Sequence, residues 1–386
     1  YTMRYIVNLN NTVSDANDVA TRLNITGTVL EHLKMIIVDD PTQEQVDTWI
    51  ADNDVKGVAE DQVTVTSNIG ESTSVTATST PTEAETFNTN AVGDTTQSSL
   101  AFNDGANDWY YWHLAVIGQR PRTYNAAYNA NYTYTLDGSG VDLYILDSGV
   151  AGSKLSAHGG ATQNAVSPTP DTIGEMHPEF MDNAFDNGLG DPYRVISGGV
   201  PNLNLGSGSG VGTGGWQNED TQGHGTKCAM FAAGKLAGIA KKAYIWSAKC
   251  MDLTGVGANS GALSDLLEAT NKVIEHHNTK ANGRPSVANI SIGVPFYRDS
   301  ASIYINEPAG DTLNEVLDDQ EKIMSSAGIA IARSAGNGIK DNASDLIYMG
   351  SVQAQFVTGA RTAATSPTIP WNDEGINQDG KIAVGA

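Results

Sequence analysis

Cysteine is almost absent: Cys228 and Cys250 stand alone in 386 residues, which excludes a disulfide framework and leaves one bridge between them open. No apolar run reaches the roughly 18 residues that a membrane-spanning helix needs, so no bilayer span is expected. Basic side chains are scarce, 22 against 44 acidic ones, for a net charge of -22 and a pI near 4.5. That excess repels nucleic acid and anionic membranes, so neither is expected as a partner. It suits a protein that stays dispersed, in salty surroundings or through ordinary solubility. No leader-type apolar stretch follows Tyr1, so any signal peptide is expected to be removed or never present. The chain stops at Ala386 within the apolar run Lys-Ile-Ala-Val-Gly-Ala, an odd place to end.

What is present suffices for more than one domain: 40% of the residues are apolar, enough for a substantial core. Residues 1–66 read as a small α+β unit. Arg4–Leu9 is a strand, and Ser14 is placed to cap a helix through Leu23. Two β-rich runs lie in Val29–Asp39, and Thr42-Gln43-Glu44-Gln45 is a capping box opening a helix to about Ala51. Val55–Val65 closes the unit as a last strand. This β-α-β-β-α-β order is the ferredoxin-like pattern, which by itself indicates little about function.

Residues 67–107 are rich in Ser, Thr, Asn and Ala, and read as a flexible linker open to proteolysis. From Asp108 onward strands and helices alternate: Val141–Leu146, a helix from near His224, Ala243–Cys250, Ser260–His277, Val287–Ile292, Thr312–Ser326 and Ile329–Ser334. Such alternation predicts an α/β fold with a parallel sheet covered by helices on both faces, its site at the carboxyl ends of the strands.

Three residues carry chemistry at those ends. Asp147 follows the apolar strand in Leu-Asp-Ser-Gly-Val, where a carboxylate can hold a histidine's tautomer; taken alone, a turn aspartate reads as well. His224, in Gly-His-Gly-Thr, starts a helix between glycines and can act as general base and acid; alone, it is equally an exposed loop histidine. Asn337, in Ser-Ala-Gly-Asn-Gly, can donate its amide to an oxyanion, a contribution of ~3 kcal/mol in acyl transfer, or simply form a turn.

In this order the stretches resemble the subtilases, serine proteases whose motifs are Asp-Ser/Thr-Gly, His-Gly-Thr and Ala-Gly-Asn. Trp112–Arg120 and His224–Ala229 are similar to the proteinase K-like branch, and His177-Pro178-Glu179-Phe180 resembles a tetrapeptide common in the family after the aspartate. The resemblance implies a subtilisin-like parallel sheet and peptide-bond hydrolysis, with protein or peptide substrates. Asp147, His224 and Asn337 would be catalytic, and Cys228 a buried free thiol beneath the histidine. Leu253, Thr254 and Gly255 would belong to an edge strand that pairs with an extended substrate, and Ser291, Ile292 and Gly293 would line the primary pocket. Both stretches also read as plain core strand and loop. Residues 1–66 resemble the inhibitor-type propeptide of subtilases, whose tail lies in the cleft of its own enzyme, making a zymogen. Location outside the cytosol is implied with it.

The family's serine is absent. Its Gly-Thr-Ser motif follows a Val-Gly-Ala strand, here Val384-Gly385-Ala386, so the serine is expected beyond Ala386 and this chain alone is expected to be inactive. Ser366 precedes that strand and is followed by Pro367, which disqualifies it. The alternative is an inactive subtilase-fold structural or binding component of a larger assembly. No cofactor is needed for the chemistry. The long stretch 151–220, with Asp182, Asp186 and Asp191, is oxygen-rich enough for structural calcium, or is a solvated surface loop without EF-hand spacing.

Overall fold

The computed structural model describes residues 3–66, 87–91, 94–97, 113–114, 132–152, 177–186, 190, 192–203, 220, 223–251, 260–297, 309–334, 346–349 and 381–384. Near the N-terminus the elements follow as β1 (Arg4–Leu9), α1 (Ala16–Arg22), β2 (Thr28–Leu30), β3 (Met35–Asp39), α2 (Gln43–Ile50) and β4 (Val55–Glu60). The strands pair antiparallel in the order β2-β3-β1-β4. Alternation along them sorts the side chains into two faces. Val7, Leu9, Ile36 and Val38 pack with Val19, Ala20, Val46 and Trp49 of the two helices. Ile6, Met35, Ile37 and Ala59 belong to a second core on the other face.

Side chains start both helices. Thr42 and Gln45 form the expected capping box, with Thr42 Oγ1 accepting from the Gln45 N–H at 3.2 Å and Gln45 Oε1 from the Thr42 N–H at 2.8 Å. The cap of α1 is Asp15 rather than Ser14: its carboxylate accepts from the N–H groups of Asn17 and Asp18. A carboxylate there also meets the positive end of the helix dipole, which a hydroxyl does not.

The single last strand expected over 55–65 is two strands. β4 stays in the N-terminal sheet, and after Asp61 and Gln62 the chain continues as β5 (Val63–Thr66) in a different sheet. Further on, the described part of the expected linker forms β6 (Phe87–Ala91) and β7 (Asp94–Gln97), joined by β8 (Tyr132–Tyr134). Threonine is β-branched and suited to strands, a preference that low apolar content hides.

The remaining order is β9 (Asp142–Asp147), α3 (His224–Ala233), β10 (Tyr244–Lys249), β11 (Ser260–Ala262), α4 (Leu263–Thr279) and β12 (Ser286–Ile290). Then come β13 (Ile292–Tyr297), α5 (Ala309–Ser326), β14 (Ile329–Ser334), β15 (Leu346–Met349) and β16 (Lys381–Val384). Five of these strands make the parallel sheet β10-β9-β12-β14-β16. Both of its faces are covered, as an α/β fold requires. Leu143 and Ile145 share a core with Ala229 and Ala233 of α3, and Tyr144 and Leu146 share one with Leu266, Leu267 and Val273 of α4 and Val316 of α5.

The second face of the N-terminal sheet closes on the same two helices, so Ile6, Met35 and Ile37 join the core of α4 and α5. Each large apolar side chain withdrawn from water contributes roughly 1.5–3 kcal/mol. Polar groups pin this seam. Lys56 and Asn8 donate to Asp319 at 2.6 and 2.9 Å, and Asp61 accepts from the Ser264 N–H and hydroxyl at 3.0 and 2.6 Å. Just past it, β5 runs antiparallel between β11 and β13, with Thr64 opposite Gly261 and Val65 opposite both Ser260 and Gly293.

Candidate active site

The β9 strand begins and ends on an aspartate with the apolar run Leu143–Leu146 between them, and its last residue, Asp147, is fully buried. α3 opens on His224 directly after Gly223, whose φ of +95° suits glycine and little else. Gly225 is required for a different reason. A Cβ there would come within 2.1 Å of the Gly149 carbonyl oxygen, so glycine alone lets the helix start approach the strand end.

That approach brings His224 Nδ1 to 2.7 Å from Asp147 Oδ1, and the Ser148 N–H donates to the same oxygen at 2.7 Å. With the Asp147 oxygen as acceptor, Nδ1 is the nitrogen that donates, which leaves Nε2 to exchange a proton on the other side of the ring. Burial lowers the proton affinity of His224. The hydrogen bond that Nδ1–H donates to Asp147, with Cys228 and the Asp147 charge, outweighs it and leaves the imidazole pKa above its ordinary value.

Cys228 lies one turn into α3, its sulfur 3.7 Å from His224 Nδ1. Burial, reinforced by the Asp147 charge, pushes its thiol pKa up, so it stays protonated and is a poor nucleophile. Both cysteines are free thiols, and no bridge joins them. Asp147, His224 and Cys228 hold an oxygen, a nitrogen and a sulfur within 4.8 Å of one another, spacing a cation could use. Two of these donors are already bonded to each other, which is the arrangement of a proton-transfer pair.

Of the expected substrate-binding residues, Ser291 is brought to this site, where it faces the Cys228 thiol and its hydroxyl accepts from the Asn289 amide at 3.0 Å. Ile292 is buried in the core beneath, and Gly293 pairs with Val65 of β5. Asn337, Leu253, Thr254 and Gly255 lie outside the described residues. The described strand that borders β5 on the other edge is Ser260–Ala262, which the sequence reading had placed in a helix. Asp182 and Asp186 serve turns, accepting from the N–H groups of Ala184 and Gly190 at 3.0 and 2.8 Å, and Asp191 is outside the described residues. Glu179 of the His-Pro-Glu-Phe stretch is structural: Oε2 accepts from Leu236 and Ala237 N–H groups at 2.8 and 3.1 Å, just past α3.

Sequence reading missed Asp220, a buried carboxylate four residues before His224. The available signal was a short acidic side chain just ahead of a glycine-started helix, the pattern of a cap.

Residues 138–384 match the model of the subtilase family, well over half of the chain. The chain belongs to the subtilases. Among curated relatives, a subtilisin-like serine protease of Davidiella tassiana is 26% identical over 255 residues, 66% of this chain and 38% of that protein. The subtilisin-like serine protease pepC of Aspergillus niger is 26% identical over 264 residues, 66% of this chain and 36% of its own length. This subtilase chain therefore spans less than half the length of the curated relatives it matches. Among solved structures, an epidermin leader peptide processing serine protease from Staphylococcus aureus matches 90% of this chain and 66% of its own, at 13% identity and a TM-score of 0.40.

Proposed function

We propose that this subtilase chain is the precursor form of a serine endopeptidase. The observation that carries the reading is the 2.7 Å contact between Asp147, at the end of β9, and His224, at the start of α3. In that role His224 Nε2 takes the proton of a serine hydroxyl as its oxygen bonds to the substrate carbonyl carbon. It then returns the proton to the leaving amine as the peptide C–N bond breaks. Asp147 accepts from Nδ1–H and holds the ring. Asn337 would donate to the oxyanion, and the serine would come from beyond Ala386.

Residues 1–66 are read as an inhibitory propeptide. The position of β5, an extended segment between β11 and β13, supports this, because a substrate would pair with the same two edges through its backbone. Substrates would then be proteins or peptides in extended form, and a broad endopeptidase of this kind would act outside the cytosol.

The test uses the full-length natural protein. Labelling by a fluorophosphonate and hydrolysis of casein are expected, and His224→Ala should reduce turnover by about 10⁴- to 10⁶-fold. Equal hydrolysis by that variant would sink the assignment. A full-length protein that neither labels nor hydrolyses would instead be an inactive subtilase-fold component of a larger assembly.

A further inference from the structure

Asp220 is 1% exposed and lies outside the Asp147–His224 pair. One of its oxygens accepts from the Ser148 hydroxyl at 2.9 Å and the Gly223 N–H at 2.7 Å. The other accepts from the Thr226 N–H at 2.9 Å and the Thr226 hydroxyl at 2.5 Å. Ser148 Oγ accepts in turn from the Gly225 N–H, and Thr226 Oγ1 from the Ala151 N–H, each at 2.9 Å. These bonds lace the segment after β9, residues 148–151, to the first turn of α3, residues 223–226.

Two physical needs meet here. α3 starts on a glycine that supplies no side-chain cap, so its first N–H groups need an acceptor. A buried carboxylate needs donors just as strictly. Mutual satisfaction of that kind alone would make Asp220 an ordinary structural residue. The difference lies in where the bonds lead. Ser148 is tied to Asp220 through its hydroxyl and to Asp147 Oδ1 through its N–H, and Gly223 and Gly225 flank His224 on either side. Any shift of Asp220 therefore reaches both partners of the 2.7 Å contact.

We propose that Asp220, acting through Ser148 and Thr226, is a positioning residue that holds Asp147 and His224 within hydrogen-bonding distance. This rests on reading the pair as the acid–base machinery of a peptidase. Asp220 touches no reacting atom; it sets the geometry on which proton transfer depends.

The test reads the His224 ring in this chain, using isotope-labelled histidine, and kinetics in the full-length natural protein. The Nδ1 proton shared with Asp147 should give a low-field resonance in the native chain. Asp220→Ala should lose that resonance and bring the His224 pKa down towards the ordinary imidazole value. Asp220→Asn, which keeps an acceptor oxygen, should retain part of it. Ser148→Ala, which leaves Asp220 in place and removes the hydroxyl that links it to the Gly225 N–H, should weaken it as well. In the full-length protein Asp220→Ala should lower kcat about 10²-fold with KM little changed, and the acid limb of the profile should move to lower pH. A folded Asp220→Ala chain with the native resonance and His224 pKa would overturn the proposal. Should that variant not fold, Ser148→Ala decides, and an unchanged resonance in it overturns the proposal equally. Failure of the peptidase reading is seen separately, as undiminished hydrolysis by His224→Ala, and leaves the resonance result standing.

Discussion

At the scale of single residues, the site depends on how closely two backbone segments can approach. Asp147 and His224 are 77 positions apart, and their contact exists because Gly225 has no side chain to hold the Gly149 carbonyl away. Gly225→Ala should therefore cost about 1–3 kcal/mol in urea unfolding, as overpacking does, and should weaken the Asp147–His224 bond together with any hydrolysis. Nearby, Cys228 is a thiol held protonated by burial and by the Asp147 charge, and Cys250, fully buried, is raised further. Alkylation at neutral pH should thus be slow at both cysteines in the folded chain and rapid in urea, measured by mass spectrometry. Fast modification of native Cys228 would show a thiolate and reopen a nucleophilic role.

At the scale of elements, the chain uses different devices at different helix starts. α2 has its capping box, α1 has Asp15, and α3 has glycine and borrows Asp220. Asp15→Ala should lower the melting temperature measurably, whereas Ser14→Ala should leave it nearly unchanged. The reverse ranking would return the cap to Ser14. The break between β4 and β5 matters more for function. The two strands are separated by only Asp61 and Gln62, yet one completes the N-terminal sheet and the other enters a sheet with β11 and β13. Asp61 is anchored at that break by Ser264 at the start of α4, which directs β5 towards the site.

At the scale of the whole molecule, the seam between the N-terminal unit and α4 gathers carboxylates with little to neutralise them. Arg4 lies 3.8 Å from Asp265 and 3.0 Å from Asp39, and Asp61, Glu268 and Lys272 complete the charged neighbourhood. Burial, the largest influence, pushes Asp265 up to about 8, with Asp61 and Glu268 raised for the same reason. A carboxyl raised in the folded state holds a proton that the unfolded chain has already released. Stability from this group is therefore greatest below the ordinary carboxylate value of 3.8 and declines as pH rises to about 8. Urea midpoints should fall across that window in the native chain, and Asp265→Asn should flatten the fall. A midpoint that climbed steadily over the same range in the native chain would contradict this account of the seam.

How much of this was legible in advance follows from the range of each interaction. Alternation of apolar residues is local, so the strand at 142–147, the helices at 263–279 and 309–326 and the strand at 329–334 could be read to within a few positions. Asp147 and His224 were legible because short glycine-bearing motifs mark the ends of such elements. Other features were not. Asp15 displaced Ser14 because both are good caps and only the backbone geometry chooses between them. The strand Ser260–Ala262 was absorbed into the helix that follows, since three residues carry no period and are strand only because β5 pairs with them. Asp220 could be read at most as a local cap, and its link to Ser148 existed only once folding brought that residue alongside from 72 positions away. The sequence by itself determined the class of fold and the residues able to do acid–base chemistry, because backbone periodicity and the functional group a side chain carries are local properties. Tertiary structure decided how closely Asp147 approaches the histidine, which second buried carboxylate bonds to the segments on either side of the pair and where the N-terminal unit docks, because hydrogen bonds and burial act across space.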